Sequence, residues 1–163
     1  MKAIVPFLEI NKMNINNIQF QVIEFRSAEY RQAVYLRYKI LRQPLGLHFT
    51  KEQLEEENGY IHITGEFEGK IIAYLYLIPI PENRYCMRQV AVQEDFQGLG
   101  IGRKLVEFSE LIIKERHAAE MFMHARLTAI PFYEKLGYVK SGELFSAVGL
   151  PHFEMRKYFT EKE

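Results

Sequence analysis

A glycine-rich turn between a strand pattern and a helix pattern constrains this chain more than any other feature. The apolar segment 90–92 leads into Gly98, Gly100 and Gly102, and helical spacing of apolar residues follows. Glycine lets a backbone approach a ligand without a Cβ in the way. The first N–H groups of a helix lack partners within the helix and lie at the positive end of its dipole. The three alternating glycines therefore favour a phosphate-binding site, whereas a lone Gly-x-Gly would indicate only a tight turn.

The spacing of these glycines excludes two common phosphate loops. A dinucleotide fingerprint of the form G-x-G-x-x-G needs glycine where this chain has Arg103. A Walker loop needs four residues between its glycines and then Lys-Ser or Lys-Thr, but Gly102 leads into Arg103, Lys104 and Leu105.

Two motifs resemble the GNAT superfamily of acyl-CoA-dependent N-acyltransferases. Gln97, Gly100 and Gly102 match its pattern Gln/Arg-x-x-Gly-x-Gly/Ala, and residues 129–138 are similar to its Ala-x-x-Phe-Tyr-x-x-x-Gly-Phe/Tyr segment. The resemblance covers about the last two-thirds of the chain. It implies an α/β GNAT fold, in which helices flank a mixed, mostly antiparallel central sheet.

Local patterns predict elements in the order βααβββαβαββ, which is also the order that the resemblance implies. The predicted strands are 18–25, 60–67, 70–78, 84–92, 121–126, 138–145 and 152–158. Helices are predicted after the N-caps Ser27, Thr50 and Thr128 and over 100–116, with Pro131 in the first turn and Gly137 at the C-terminus of the last helix. The first helix is predicted to bury Tyr30, Val34, Tyr38 and Leu41, and the third helix to bury Ile101, Leu105, Phe108 and Ile112. On the solvent-exposed face of the third helix, Glu110 and Lys114 are predicted to form an ion pair.

Length and composition indicate one globular domain over residues 1–163, with residues 1–17 as an arm that is flexible or depends on a partner. Lys plus Arg and Asp plus Glu are each 21, so neither nucleic acid nor an anionic membrane is an expected partner. The single Cys86 favours a reducing compartment. No apolar run has the length of a membrane helix or of a signal-peptide core, so we expect a cytoplasmic protein.

The resemblance implies acetyl-CoA as cosubstrate and a binding loop of Gln97, Gly98, Leu99, Gly100, Ile101, Gly102, Arg103 and Lys104. Backbone N–H groups of this loop would hold the diphosphate. Arg103 or Lys104 would add charge, although a solvated helix face explains them equally well. The resemblance further implies that the strand ending at Val92 splays from the next strand. The backbones of Ala91 and Val92 would then line a slot for the pantetheine arm, with the Val92 N–H near the thioester carbonyl.

Tyr133 matches the tyrosine that protonates the departing thiolate in many members of the family. The alternative is a core tyrosine, which is the commoner role of an aromatic residue at the start of a helix. Arg126 departs from the family pattern, in which many members carry Asn seven residues before that tyrosine to contact the pantetheine. Arg126 either reaches a phosphate of the cofactor or points at the substrate.

The amine acceptor must lose a proton before it attacks, and the candidate bases are Glu143, His152, Glu154 and His62. His152 lies in a segment similar to Gly-Ile-Pro-His-x-x-Met of some small bacterial GNAT proteins, and its alternative role is structural. The histidines show no paired metal spacing, so no metal is expected. The run Glu55, Glu56 and Glu57 indicates a solvated helix face, or a surface that attracts a cationic substrate.

The resemblance implies an N-acetyltransferase that moves an acetyl group from acetyl-CoA directly to a primary amine of a small molecule or peptide. One alternative is a catalytically silent CoA-binding or regulatory module, and another is a different nucleotide binder that uses the glycine loop. No motif specifies the acceptor, so a polyamine, an amino acid, an amino sugar and a peptide amine all stay open. Edge strands and exposed aromatic residues make a homodimer plausible.

Overall fold

The structure is a computed structural model that describes residues 15–160 of the 163-residue chain. Within these residues, seven strands form a sheet in the order β1-β2-β3-β4-β5-β7-β6. The strands are β1 (Gln19–Ile23), β2 (Ile61–Phe67), β3 (Lys70–Ile80), β4 (Arg84–Val92), β5 (Glu120–Arg126), β6 (Val139–Ala147) and β7 (Leu150–Tyr158). The α-helices of the same residues are α1 (Ala28–Arg37), α2 (Lys51–Glu55), α3 (Ile101–Lys114) and α4 (Ile130–Lys135).

The predicted order βααβββαβαββ and the mixed sheet are both confirmed. β4 pairs with β5 in parallel, whereas the β1–β2, β5–β7 and β6–β7 pairs are antiparallel. The boundaries of β4 agree with the prediction, and β3 and β7 extend beyond their predicted ends.

The described residues divide into two compact units. The N-terminal unit contains residues 15–76 and 89–109, and the C-terminal unit contains residues 77–88 and 110–160. A single domain over 1–163 stays a prediction. The predicted arm, 1–17, lies outside the described residues apart from Ile15–Asn17, which form a 3-10 turn. None of the helices within 15–160 combines the length and the apolar character that a membrane crossing needs.

Side-chain caps start both short helices of the N-terminal unit, as predicted. The Ser27 hydroxyl accepts a hydrogen bond from the backbone N–H of Tyr30 at 3.1 Å. Thr50 and Gln53 form a reciprocal capping box, in which each side chain accepts from the other residue's backbone N–H. These bonds satisfy N–H groups that a helix cannot pair internally.

The predicted buried face of α1 is partly wrong. α1 buries Tyr30, Ala33, Leu36 and Arg37. Val34, Tyr38 and Leu41 are only half-buried. The α-helix ends at Arg37, and residues Tyr38–Arg42 wind as a π-helix, whose wider turn changes the spacing of side chains that share a face.

Apolar side chains from β2, β3 and α3 form the core of the N-terminal unit. Ile63, Leu75 and Leu105 are completely buried, and Phe20 stacks on Phe108 with ring centroids 6.0 Å apart. For α3, the predicted burial of Ile101 and Leu105 is confirmed. Phe108 and Ile112 are only half-buried, and the fully buried positions include Val106 and Ile113.

One face of β5 and β7 in the C-terminal unit is covered by helices. Met121 and Met123 are buried on this face. Lys157 is the register partner of Met121, and its ammonium group contacts the Glu110 carboxylate of α3 at 3.0 Å and the Leu136 carbonyl after α4 at 2.7 Å. Because strand residues alternate between faces, Phe122, His124 and Arg126 lie on the opposite face.

The predicted Glu110–Lys114 ion pair on a wet helix face is wrong. Glu110 is buried, and its carboxylate accepts hydrogen bonds from the Tyr138 hydroxyl at 2.9 Å and from the Lys157 ammonium. Both partners are far away in the sequence, and they compensate for the cost of burying the charge.

The predicted Thr128 cap is also wrong. A 3-10 turn, Leu127–Ala129, precedes α4, and Ala129 takes the N-cap position without a side-chain bond. Two other signals for this helix are confirmed. Pro131 lies in its first turn, and Gly137 after its end has a left-handed φ of 93°.

Candidate functional site

Several contacts fix the segment that connects β4 to α3 in the N-terminal unit. The backbone N–H of Gln93 donates to the Ile72 carbonyl at 2.8 Å, and Phe96 is buried with its ring 5.6 Å from that of Phe67. The Gln97 amide donates to the carbonyl of Val92 at 2.8 Å. Gln97 therefore ties the glycine loop to the end of β4.

Open space surrounds the glycines of this loop. Gly98 and Gly100 have left-handed φ values of 77° and 81°, and apart from the glycine and its two chain neighbours no atom lies within 4 Å of the position that a Cβ would take at either residue. The Lys104 N–H donates to the Gly100 carbonyl as α3 begins, so the N–H groups of Ile101, Gly102 and Arg103 precede the helical hydrogen bonds. Leu99 is half-buried beside them. The loop is a cradle that a side chain would fill.

The two cations of the loop differ in their surroundings. Arg103 is exposed and donates to the Glu107 carboxylate at 2.8 Å, one helical turn away. That pair is typical of a solvated helix face. Lys104 is half-buried and has no side-chain partner among residues 15–160, so its charge stays available to a bound anion.

β4 changes its backbone conformation before it reaches the loop. Its parallel pairing with β5 joins Arg84–Cys86 to Glu120–Phe122. Gln89 has a φ of 57°, which is unusual for a residue other than glycine and marks an irregularity in the strand. Ala91 and Val92, whose backbones are the predicted cofactor contacts, follow this irregularity.

Tyr133 is a buried residue of α4 in the C-terminal unit. Its ring meets those of Phe132 and Tyr138 edge-on, at 4.9 and 5.9 Å, and its hydroxyl has no hydrogen-bond partner within residues 15–160. Burial raises the pKa of Tyr133 well above that of an exposed tyrosine. The phenol therefore carries its proton at any physiological pH, as a proton donor must.

Arg126 and His152 are register partners on β5 and β7, on the face opposite Met121 and Met123. His152 is buried, and its Nδ1 lies 2.8 Å from the carbonyl of Leu150. A carbonyl only accepts, so Nδ1 carries the hydrogen, and Nε2 keeps its lone pair in the neutral ring. Arg126 is half-buried and has no hydrogen bond or ion pair with any part of the chain that the structure describes.

Charged and aromatic groups surround this pair. The Phe145 ring stacks on His152 at 5.8 Å and meets His124 edge-on at 5.1 Å. Burial and the nearby positive charge of Arg88 lower the pKa of His124, against an opposing effect of Glu154, whose carboxylate is 3.7 Å away. The sequence does not predict a role for His124, because an isolated histidine in a strand pattern gives no indication of its neighbours in the fold.

Two other candidate bases have different positions. Glu143 is exposed, in the irregular part of β6 between Ser141 and Phe145. His62 is buried in the N-terminal unit with both ring nitrogens occupied, by the Tyr74 hydroxyl at 2.6 Å and the Glu57 carbonyl at 2.9 Å. His62 therefore has no free lone pair with which to accept a proton.

The family model of the acetyltransferase (GNAT) domain matches residues 42–159. The chain belongs to the GNAT family. The resemblance inferred from the glycine loop and from the segment around Tyr133 is thereby confirmed.

Relatives of this GNAT chain include a Bacillus subtilis (strain 168) protein named as a candidate acetyltransferase, 30% identical over 94 residues. The match covers 53% of this chain and 64% of that relative, so the chain spans less than two thirds of the relative's length. A candidate N-acetyltransferase from Lactobacillus plantarum has a TM-score of 0.79 at 22% identity, covering 88% of this chain and 99% of that one. A GNAT acetyltransferase from Elizabethkingia anophelis, solved with acetyl-CoA bound, has a TM-score of 0.68 at 16% identity, with the same coverage. The TM-scores show that the fold is shared, and at such low sequence identities they show the fold alone.

The N-terminal unit of this GNAT chain contains a buried ion pair that the sequence does not predict. The Arg37 guanidinium donates to both oxygens of Glu57 at 2.8 and 2.5 Å and to the Gln89 side-chain carbonyl at 3.3 Å. The predicted solvated face is therefore wrong for Glu57, which is buried because its charge is paired. Among residues 15–160, no group of three or more His, Cys, Asp or Glu side chains could hold a metal ion.

Proposed function

We propose that this GNAT chain transfers an acetyl group from acetyl-CoA to a primary amine of a small molecule or peptide. The observation that carries the proposal is the open cradle at Gly98 and Gly100, followed directly by the free N–H groups at the start of α3. Backbone N–H groups at a helix N-terminus suit a diphosphate, and a Cβ at either glycine would fill the space that it needs. The residues present therefore fit the cofactor that the family implies.

The N-terminal unit supplies the contacts to the cofactor. Backbone N–H groups from Gly98 to Lys104 hold the diphosphate, and the unpaired ammonium group of Lys104 adds charge. The Val92 N–H donates to the acyl carbonyl oxygen, where negative charge grows during the attack. The irregularity at Gln89 supports this role, because it interrupts the regular strand just before Ala91 and Val92. When bound, acetyl-CoA supplies an activated acyl group on a thiol leaving group.

Tyr133 and His152 are the residues proposed for the proton transfers. Tyr133 donates its proton to the departing thiolate, and burial keeps this phenol protonated beforehand. His152 is favoured over Glu143 as the group that receives a proton from the amine. Its bond to the Leu150 carbonyl fixes the ring with Nε2 as the acceptor, whereas Glu143 is exposed.

A thiol-release assay of acetyl-CoA with a panel of primary amines tests the proposal. Turnover with at least one amine, and formation of its N-acetyl product, is the expected result. CoA binding without turnover of any amine would instead identify a catalytically silent CoA-binding module. Binding of ATP or NAD that CoA does not displace would identify a different nucleotide site.

Two glycine variants separate the cradle from backbone strain. Gly100→Val should abolish CoA binding, because the side chain enters the space of the diphosphate. Gly69→Val is the matched control, since Gly69 also has a left-handed φ, of 78°, and open space around its Cβ position, but lies in the turn between β2 and β3. Calorimetry of both variants should show comparable stability and loss of CoA affinity in Gly100→Val alone. Equal CoA affinity in the two variants would contradict the assignment of the loop.

A further inference from the structure

The face of β5 and β7 opposite Met121 and Met123 carries Phe122, His124 and Arg126 on β5, and His152, Glu154 and Arg156 on β7. Most of its charges are paired. Arg156 donates to Glu154 at 2.8 Å and also bonds Glu120, and Glu154 in turn faces His124. Both carboxylates of this face thus already contact Arg156.

Arg126 is the exception on the same face. It is half-buried, yet it has no acceptor within residues 15–160. A partly buried arginine without a carboxylate partner gains no stability from an ion pair. Its planar fork of donors matches a carboxylate or a phosphate in two parallel hydrogen bonds. The unpaired Arg126 therefore indicates an anionic group on a ligand.

The neighbour of Arg126 offers the complementary contact. His152 is its register partner, and side chains opposite each other on antiparallel strands have Cβ atoms about 4.5–5.5 Å apart. The Leu150 carbonyl accepts a hydrogen bond from His152 Nδ1, so Nε2 can accept a hydrogen bond from another group. One donor fork for an anion and one acceptor for an N–H group therefore lie side by side, next to the flat ring of Phe145.

We propose that Arg126 and His152 bind an amine acceptor that carries a carboxylate a few bonds from its amino group, as an α-amino acid does. Arg126 holds the carboxylate, and His152 Nε2 accepts a hydrogen bond from the amino group. This inference rests on the proposed acetyl transfer and names the substrate class of that reaction. It replaces the expectation that Arg126 contacts the cofactor, whose phosphates are the other source of an anion.

Kinetics with paired acceptors test the role of Arg126. Each amino acid that is turned over is compared with its carboxamide, which has the same amino group and no negative charge. Arg126→Gln should raise the KM of the amino acid about 10- to 100-fold, as expected for hydrogen bonds between charged groups, and should leave the KM values of the carboxamide and of acetyl-CoA within about twofold. Arg116→Gln is the matched control, because Arg116 is an exposed arginine of the same unit.

Other results would overturn the inference. A rise in the KM of acetyl-CoA in Arg126→Gln would assign the arginine to a cofactor phosphate. Equal changes in the KM of the amino acid and of its carboxamide would show that Arg126 does not bind the carboxylate. Turnover of other amines but of no amino acid would exclude this substrate class and leave acetyl transfer standing. If no amine is turned over, the proposed function fails, and calorimetry of amino acids with wild type and Arg126→Gln still tests the site: binding that depends on Arg126 supports it, and its absence overturns it.

Two substitutions of His152 separate binding from structure. His152→Asn places an amide where Nδ1 was and keeps a donor for the Leu150 carbonyl, whereas His152→Gln reaches the position of Nε2. If Nε2 contacts the amino group, Asn should raise the KM of amino acid and carboxamide alike, and Gln should raise it less. Both variants should lower kcat, because neither amide can receive the proton of the amine. The opposite order, together with a lower Tm for Gln alone, would assign His152 to the hairpin and overturn its part in the site.

Discussion

Two arginines of this chain are removed from water to different degrees and differ in what surrounds them. Arg37, in the N-terminal unit, is fully buried and has bonds to Glu57 and Gln89, with the rings of Phe49 and Tyr74 at 4.7 and 5.2 Å from its guanidinium carbon. Arg126, in the C-terminal unit, is half-buried and has no such partner among residues 15–160.

The same contrast extends to tyrosines of the C-terminal unit. Tyr138 and Tyr133 are both buried, but the Tyr138 hydroxyl donates to Glu110 at 2.9 Å, whereas the Tyr133 hydroxyl has no partner in the described chain. Buried polar groups in proteins are nearly always paired, because an unpaired one lowers stability. The paired groups stabilise the fold, and for Tyr133 and Arg126 we propose that a ligand contributes the missing contact.

The largest expected effect is on the rate of acetyl transfer in Tyr133→Phe. Removing a general acid lowers kcat by about 10²- to 10⁴-fold, and the ring remains to fill its place. Tyr138→Phe is the matched control, with a loss of about 1.5–3 kcal/mol of stability, because its hydroxyl bonds a carboxylate, and nearly normal kcat. Steady-state kinetics and urea denaturation of both variants measure this. Normal turnover in Tyr133→Phe would return Tyr133 to the core-residue interpretation.

Arg37→Met should produce the largest loss of stability. It leaves the buried Glu57 carboxylate with the Tyr30 hydroxyl, 2.7 Å away, but without its counterion, and breaking such a pair costs about 3–5 kcal/mol. Combining it with Glu57→Gln should recover much of that loss, because no buried charge remains. Arg126→Gln should change the free energy of unfolding by less than about 0.5 kcal/mol. Urea denaturation measures the free energy of unfolding of each variant. Equal losses in Arg37→Met and Arg126→Gln would contradict the difference between the two arginines.

Local signals explain which parts of the fold the sequence could predict. Ser27, Thr50 and Gly137 act through bonds or backbone angles within a few residues, and the alternation of β4 is visible in its own nine residues. The glycine loop was predictable for the same reason. Its residues are contiguous, and their spacing alone carries the chemistry.

Pairing across the sequence explains what could not be predicted. Glu110 had an equally good partner four residues away in Lys114, but the fold brings Lys157 to it instead. Arg37 and Glu57 gave no sign of their contact, since nothing in either segment specifies the other. That Arg126 lacks a partner is likewise visible only once the register of β5 and β7 is known.

A smaller effect should appear in the pH dependence of stability. Burial lowers the pKa of His62 below its ordinary value of about 6.5, and contacts with Glu57 offset this only in part. The unfolded chain therefore binds a proton at a higher pH than the folded chain, so this residue's contribution to stability is lost as pH falls below about 6.5. From pH 7 to pH 5, the free energy of unfolding should fall less steeply in His62→Gln than in wild type. The two slopes should differ by at most about 1.4 kcal/mol per pH unit. Parallel curves for the two proteins would contradict the neutral, buried His62.

The smallest expected effect is at a buried hydroxyl that breaks the pattern of the N-terminal unit. Thr64 is completely buried, and its hydroxyl has no hydrogen-bond partner among the described residues. Thr64→Val keeps the shape and removes the unpaired group, so the free energy of unfolding should stay equal or rise by about 1 kcal/mol. Ser109→Ala is the paired counterpart, because the Ser109 hydroxyl donates to the Val106 carbonyl at 2.6 Å, and it should lose about 0.5–1.5 kcal/mol. Thermal unfolding of both variants measures these changes in stability. A Thr64→Val protein that is clearly less stable than wild type would mean that the Thr64 hydroxyl has a hydrogen-bond partner.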